Sequence, residues 1–209
     1  MTTTPNQRTA GRPRLYSDAD IFGAINRILT DDGFSELTLD AVATRVGCTR
    51  QALVRRFGSK DGMVLGYLDA LLAAMHAEFR ALNQDCSKPL ETLLTRYTLP
   101  PDQRFEMSGD PAVEANLLAF VLSSSSDPLF AGRIATLNDA YVSAFQGLLD
   151  RAVAKGELQP CATRPIALCL HAAWIGEIVH WCFDPRLSLP SRLSRAFELI
   201  VAPHRAAAS

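Results

Sequence analysis

The sequence is short of almost everything a chemical active site needs. Its 209 residues contain no GxSxG nucleophile turn, no HExxH zinc motif and no Walker-type phosphate loop. Chance clusters such as His180-Trp181-Cys182 lack the third member that a nucleophile and base require. No enzyme is expected, and no cofactor. Cys48, Cys86, Cys161, Cys169 and Cys182 form no CxxC pair, and the histidines offer no metal-ligand spacing, so no metal site is expected. Such scatter suits reduced, mostly buried thiols in a cytoplasm. The leader MTTTPNQRTAGRPR has no apolar core and does not read as a secretory signal. Strand signals are scarce, and no internal repeat stands out. Basic surplus is lacking too, since the net charge is −1.

What remains is helical periodicity, and it is densest in information at Thr38 to Phe57, TLDAVATRVGCTRQALVRRF. Leu39, Val42, Ala43 and Val46 recur at helical spacing. Thr38 stands where a hydroxyl can cap the first turn, and Gly47 follows the last apolar position, where a left-handed backbone costs glycine least. Thr49 can cap a second helix almost at once. In that helix Ala52, Leu53 and Phe57 form the inner stripe, while Arg50, Gln51, Val54 and Arg55 fall largely opposite, with Arg56 flanking. Helix, glycine turn and helix are the signature of a helix-turn-helix.

Charge agrees. Between Ala41 and Lys60 there are five basic residues (Arg45, Arg50, Arg55, Arg56, Lys60) and no acid. Through Gly62 nine Lys or Arg face seven Asp or Glu, a balance of +2, and the rest has twelve against fifteen, or −3. A local basic patch attracts phosphates, while an acidic remainder keeps the protein from coating nucleic acid indiscriminately. An isolated charge run is usually just a solvated helix face, but the capped turn favours the sharper reading.

Upstream, Ser17 and Asp20 make a capping-box-like start for a first helix with Ile21, Ala24, Ile25, Ile28 and Leu29 on its apolar face, ended by Gly33-Phe34. Leu37-Thr38, Val42-Ala43, Gly47, Leu53, Phe57 and Ser59-Lys60-Asp61 follow. Over about residues 15 to 62 this run resembles the DNA-binding domain of the TetR family of transcriptional regulators. The resemblance implies that Thr38, Thr49 and Lys60 touch the DNA backbone. It places Arg50, Gln51, Ala52 and Arg55 on the part of the recognition helix that reads base edges, where arginine suits guanine and glutamine suits adenine. Val54 departs from the family, which often has tyrosine there; valine gives phosphate no hydrogen bond but could meet a thymine methyl. Gly11-Arg12-Pro13-Arg14 resembles the family's basic arm, so Arg12 and Arg14 are candidates for the minor groove, beside the alternative of a plain solvated tail.

The expected architecture is all-α with about nine helices: a flexible basic arm over 1–14, a helix-turn-helix domain over 15–62, and a larger regulatory domain over 63–209. Periodicity predicts a helix from Ser59 to about Gln84, a helix near Pro89 to Tyr97, a loop over Thr98 to Asp110, and a helix from Pro111 to Leu122 closed by Ser123 to Ser126. The next is expected from Asp127-Pro128 to Lys155, stopping at Gly156, with the last two at about Arg164 to Phe183 and Ser191 to Val201. Ile166 to Phe183 is apolar nearly all round. Glu177, His171 and His180 would be costly in lipid, so burial against both core and partner explains it better than a membrane span. The family resemblance implies a homodimer through the last two helices, two recognition helices on a pseudo-palindromic operator, and a small-molecule inducer that releases DNA. Candidate pocket residues are Phe79, Tyr97, Phe120, Tyr141, Trp174 and Glu177, most of which could equally be plain core. The repressor reading has two rivals: a protein-interaction adaptor that keeps the fold without binding DNA, and a cysteine-based redox sensor.

Overall fold

A computed structural model describes residues 16–84, 86–98 and 110–206 of the chain. The basic arm with Arg12 and Arg14, and nearly all of the expected 98–110 loop, lie outside the described residues. Among those described the protein is all-α, with nine helices and no strand beyond one isolated bridge between Leu158 and Arg205.

Helix α1 (Asp18–Asp31) begins with a reciprocal capping box: the Asp20 N–H donates to the Ser17 hydroxyl at 3.2 Å, and the Ser17 N–H donates to the Asp20 carboxylate at 2.7 Å. Its predicted apolar face, Ile21, Ala24, Ile25, Ile28 and Leu29, is fully buried. A short 3-10 turn (Phe34–Glu36) leads to α2 (Leu39–Val46) and α3 (Arg50–Phe57). Next comes α4 (Lys60–Gln84), whose first turn is held by the Ser59 hydroxyl accepting from the Gly62 N–H at 3.0 Å. Gly62 is required by space rather than by conformation: a Cβ there would lie 2.1 Å from the Phe57 carbonyl oxygen at the end of α3.

Two hydrophobic cores divide the molecule, and α4 belongs to both. Met63, Val64, Tyr67, Leu68 and Leu71 pack with α1, α2 and Leu53 of α3 in the first. Met75 and Phe79, further along the same helix, enter the second. The first core therefore continues well past residue 62. It also takes in Phe120 from α6 (Pro111–Ser126) and Phe130 and Ile134 at the start of α7 (Ala131–Ala154). The second core is built from α5 (Pro89–Thr98), the rest of α7, α8 (Thr163–Phe183) and α9 (Leu189–Val201).

Boundaries follow the predicted ones closely, with physical reasons for the differences. Helix α6 runs on through the serines because the Ser125 and Ser126 hydroxyls donate back to the Leu122 carbonyl at 2.8 and 3.0 Å. Asp127-Pro128 do not open α7. The Asp127 carboxylate accepts from the Leu129 N–H at 2.8 Å and its carbonyl from the Phe130 N–H at 3.0 Å, which makes a separate turn and delays the helix to Ala131. Helix α9 starts two residues early because Ser188, not Ser191, is its cap, with Pro190 in the first turn.

Aromatic rings fill the second core. Tyr97 is completely buried, its hydroxyl donating to the Leu170 carbonyl at 2.9 Å. Phe79 and Phe145 meet edge-on, centroids 6.4 Å apart. Tyr141, His171 and Trp174 lie with ring planes within 25° of one another and centroids 5.8 to 6.4 Å apart. Arg96 is buried beside them, its Nε 2.5 Å from Glu78 and its guanidinium 5.3 Å above the Phe79 ring. Helix α8 is also long and apolar enough, by length and composition, to cross a membrane.

Two outcomes follow for stability. Gly62→Ala is expected to lower it by about 1–3 kcal/mol through forced separation of α3 from α4. Gly23→Ala, on an open stretch of α1 with nothing within 4 Å of the new methyl, should instead raise it by about 0.5–1 kcal/mol; thermal melts by circular dichroism measure both. Burial pushes the His171 imidazole below its usual 6.5. The unfolded chain therefore takes up a proton first, and His171 costs stability as pH falls below about 6.5, none of it above. Chemical denaturation of wild type and His171→Phe from pH 8 to 5 should show the gap between them narrowing or reversing in favour of the variant on the acid side.

Candidate nucleic-acid interface

The turn between α2 and α3 is built from short, local bonds. The Thr38 hydroxyl accepts from the Ala41 N–H at 3.0 Å, and the Thr49 hydroxyl from the Ala52 N–H at 3.2 Å, so each helix has its N-cap. Between them Gly47 adopts φ 74°, ψ 32°, the left-handed conformation that lets the chain leave α2 and re-enter a helix within three residues. The Cys48 N–H then closes on the Ala43 carbonyl at 2.9 Å. Leu53 is the one fully buried residue of α3; Ala52 and Phe57 are half-buried, with Phe57 resting 6.2 Å from Phe22 of α1. Arg50, Gln51, Val54 and Arg55 all stand exposed on the opposite face, and Thr38 and Thr49 are exposed at the two caps. The structure thus gathers these six at one surface, with Ala52 half-sheltered behind them and Lys60 half-buried at the start of α4.

The electrostatics differ from what the acid-free run in the sequence suggests. Acids from α1 and α2 fold back onto it. Arg45 pairs with Asp32 and lies 3.6 Å from Asp31, both at the end of α1. Arg56 pairs with Asp18 at the start of α1 and lies 5.6 Å over the Phe57 ring. Arg50 Nε lies 3.4 Å from Asp40 in the first turn of α2. The Lys60 ammonium sits 4.9 Å above the Phe34 ring. Arg55 engages no acid among the described residues and is the most available cation of the five. These partners lie 10 to 38 positions away in the chain, so only the packing of α1, α2 and α3 on one another reveals them. Exposed pairs of this kind contribute about 0–1 kcal/mol each, so phosphates can compete for the arginines.

Of the proposed pocket residues, Phe79, Tyr97, Tyr141 and Trp174 come together in the second core, joined by Phe145 and His171, which the sequence reading did not single out. Two are placed elsewhere. Phe120 belongs to the first core, 5.2 Å from Phe34 and 6.4 Å from Tyr67, because α6 leans against α1. Glu177 turns to the α8–α9 face, where Arg192 of the same chain reaches its carboxylate at 3.3 Å and the Asp184 carbonyl at 3.0 Å. Beside it is a cleft of about 420 Å³ bordered by Leu187, Ser191, Arg195 and Leu199. Among the thiols, burial pushes Cys48 and Cys182 upward, away from the reactive thiolate.

Residues 21–67 match the family of bacterial regulatory proteins described as the tetR family. No curated protein matches the chain in sequence. Whole-chain likeness to solved structures is extensive in shape and low in sequence. A TetR transcription regulator from Haloarcula marismortui superposes with a TM-score of 0.74 at 15% identity, covering 90% of this chain and 97% of that one. The reduced form of NemR from Escherichia coli gives 0.74 at 15%, covering 92% and 99%. FadR from Bacillus subtilis, solved in complex with stearoyl-CoA, gives 0.69 at 14%, covering 89% and 98%. The matched segment holds the capped turn and the exposed face of α3, so residues 21–67 carry a DNA-binding domain of the tetR family type, and the fold of the whole chain agrees with that of TetR regulators from end to end.

Proposed function

We propose that the protein is a ligand-released repressor acting in the cytoplasm: a homodimer that reads a pseudo-palindromic operator through its two α3 helices and lets go when a small molecule binds among the helices of residues 63–209. The observation that carries the DNA half is the α3 face, which offers Arg50, Gln51, Val54 and Arg55 together between the two threonine caps. Arg50, Arg55 and Gln51 read bases; Thr38, Thr49 and Lys60 hold phosphates; Val54 meets a thymine methyl; Ala52 allows close approach; and Arg12 and Arg14 of the arm add contacts in the neighbouring minor groove.

The aromatic group of Phe79, Tyr97, Tyr141 and Trp174 supports an apolar or aromatic inducer, in keeping with the acyl-CoA bound by the Bacillus FadR. Coupling would run through α6. The Asn116 side-chain amide donates to the Thr30 carbonyl of α1 at 2.9 Å, and Phe120 packs at a tilt against Phe34, so displacing α6 also shifts the DNA-binding core. The dimer reading rests on α8 and α9, where Leu168, Ala172 and Ile175 form an exposed stripe and Leu199 is 71% exposed.

Two measurements test this reading. In mobility-shift assays with fragments recovered by genomic selection, Arg50→Ala and Arg55→Ala should each weaken specific binding by about 1–3 kcal/mol, with binding that falls steeply with salt. Failure of the wild type to select any fragment would favour an adaptor. In light scattering after size exclusion, the wild type should run as a dimer at micromolar concentration, and Ile175→Asp should yield folded monomer with an unchanged helical spectrum.

A further inference from the structure

We propose that Asp40, which reads no base itself, is a positioning residue that sets the base specificity of Arg50; the inference rests on the DNA-reading role of α3. Three arginines of the motif pair with acids, but the pairs differ in place. Arg45 and Arg56 turn inward to α1 and are only 33% and 26% exposed. Arg50 and Asp40 are 59% and 73% exposed, and both belong to the two helices of the motif, facing each other across its turn. Among the described residues this pair alone stands, unsheltered, on the surface that presents Gln51 and Arg55.

The chemistry follows from the shape of guanidinium. Its five N–H donors form a rigid planar fork. In the structure it is Nε that approaches Asp40, at 3.4 Å. A carboxylate at Nε leaves the two terminal nitrogens free on the far edge, and those two donors match the O6 and N7 acceptors of guanine. The pair thus restrains a flexible side chain with its reading edge outward, so that less freedom is lost on binding. Asp40 also works by exclusion. It lies two residues from Thr38, close to where phosphates are expected. If Arg50 left it for a phosphate, an uncompensated carboxylate would face the anionic backbone. Asp40 therefore penalises the sequence-blind contact and favours the base. Arg55, with no such acid, is free to take either.

The test compares wild type, Asp40→Ala, Asp40→Asn, Arg50→Ala and the Asp40→Ala/Arg50→Ala double variant, each full length, on a library randomised across the half-site, with anisotropy titrations on selected and scrambled duplexes at one salt concentration. Asp40→Ala should reduce the preference for guanine at a single half-site position roughly threefold to fivefold, the most that an exposed pair can supply. Its affinity for scrambled DNA should rise. Asp40→Asn, which keeps an acceptor oxygen, should fall between. Adding Asp40→Ala to Arg50→Ala should change base preference no further, since a residue acting through Arg50 has nothing left to position. Thermal melts confirm that every variant is folded; an exposed pair contributes too little to unfold the domain. An unchanged base ranking in Asp40→Ala overturns the proposal, as does an equal loss with Arg50 already removed. A wild type that selects no DNA would defeat the regulator reading first, and this inference with it.

Discussion

Everything in this protein hangs on α4 being unbroken. Its 25 residues, about 37 Å at 1.5 Å per residue, carry Met63 to Leu71 in one hydrophobic core and Met75 and Phe79 in the other. A helix shared by two close-packed cores cannot bend between them without opening one. Movement in the regulatory part can therefore travel along α4 only as a tilt of the whole helix, not as a bend within it. The contact of Gly62 with the Phe57 carbonyl makes the near end of this lever as tight, leaving no slack where α3 joins it. Helix α6 is a second strap, tied to α1 through Asn116 and to α8 through the Cys182 thiol, which donates to the Pro111 carbonyl at 3.4 Å.

The same economy governs charge. A chain of net charge −1 that must hold an anionic partner cannot rely on bulk attraction. It spends Arg45 and Arg56 on fixing α2 and α3 to α1, and keeps Arg50 and Arg55 on the exposed face. Fewer free cations mean weaker sequence-blind binding, so a larger share of operator affinity has to come from geometry.

Local features were legible in the sequence because their causes are local. Ser17, Thr38 and Thr49 act within three residues of themselves, Gly47 acts on its own backbone, and the α1 stripe is a matter of spacing alone. The features that escaped notice are products of packing. Phe120 reads as an inward aromatic on any helix wheel, and nothing near it in the chain says that its side of α6 faces α1 while Leu118 faces the second core. The acids that answer the arginines sit up to 38 positions away and are invisible in a window that contains none. Asp127-Pro128 misled for the opposite reason: both residues favour a helix start, yet the aspartate side chain closed its own turn first.

Glu177 shows how the two levels meet on α8. In the sequence it is an acid stranded among apolar residues, and a stranded charge has to find a partner or stay in water. The partner is Arg192 on the next helix, which also ties down the Asp184 carbonyl between them. The pair thus pins α9 to α8, while Leu168, Ile175, Phe183 and Leu199 of these two helices are left uncovered. A helix that carries a half-buried ion pair opposite its apolar stripe is poorly suited to lipid, where the charges would lose their water. The stripe would suit the homodimer proposed above, where apolar contact would supply the attraction.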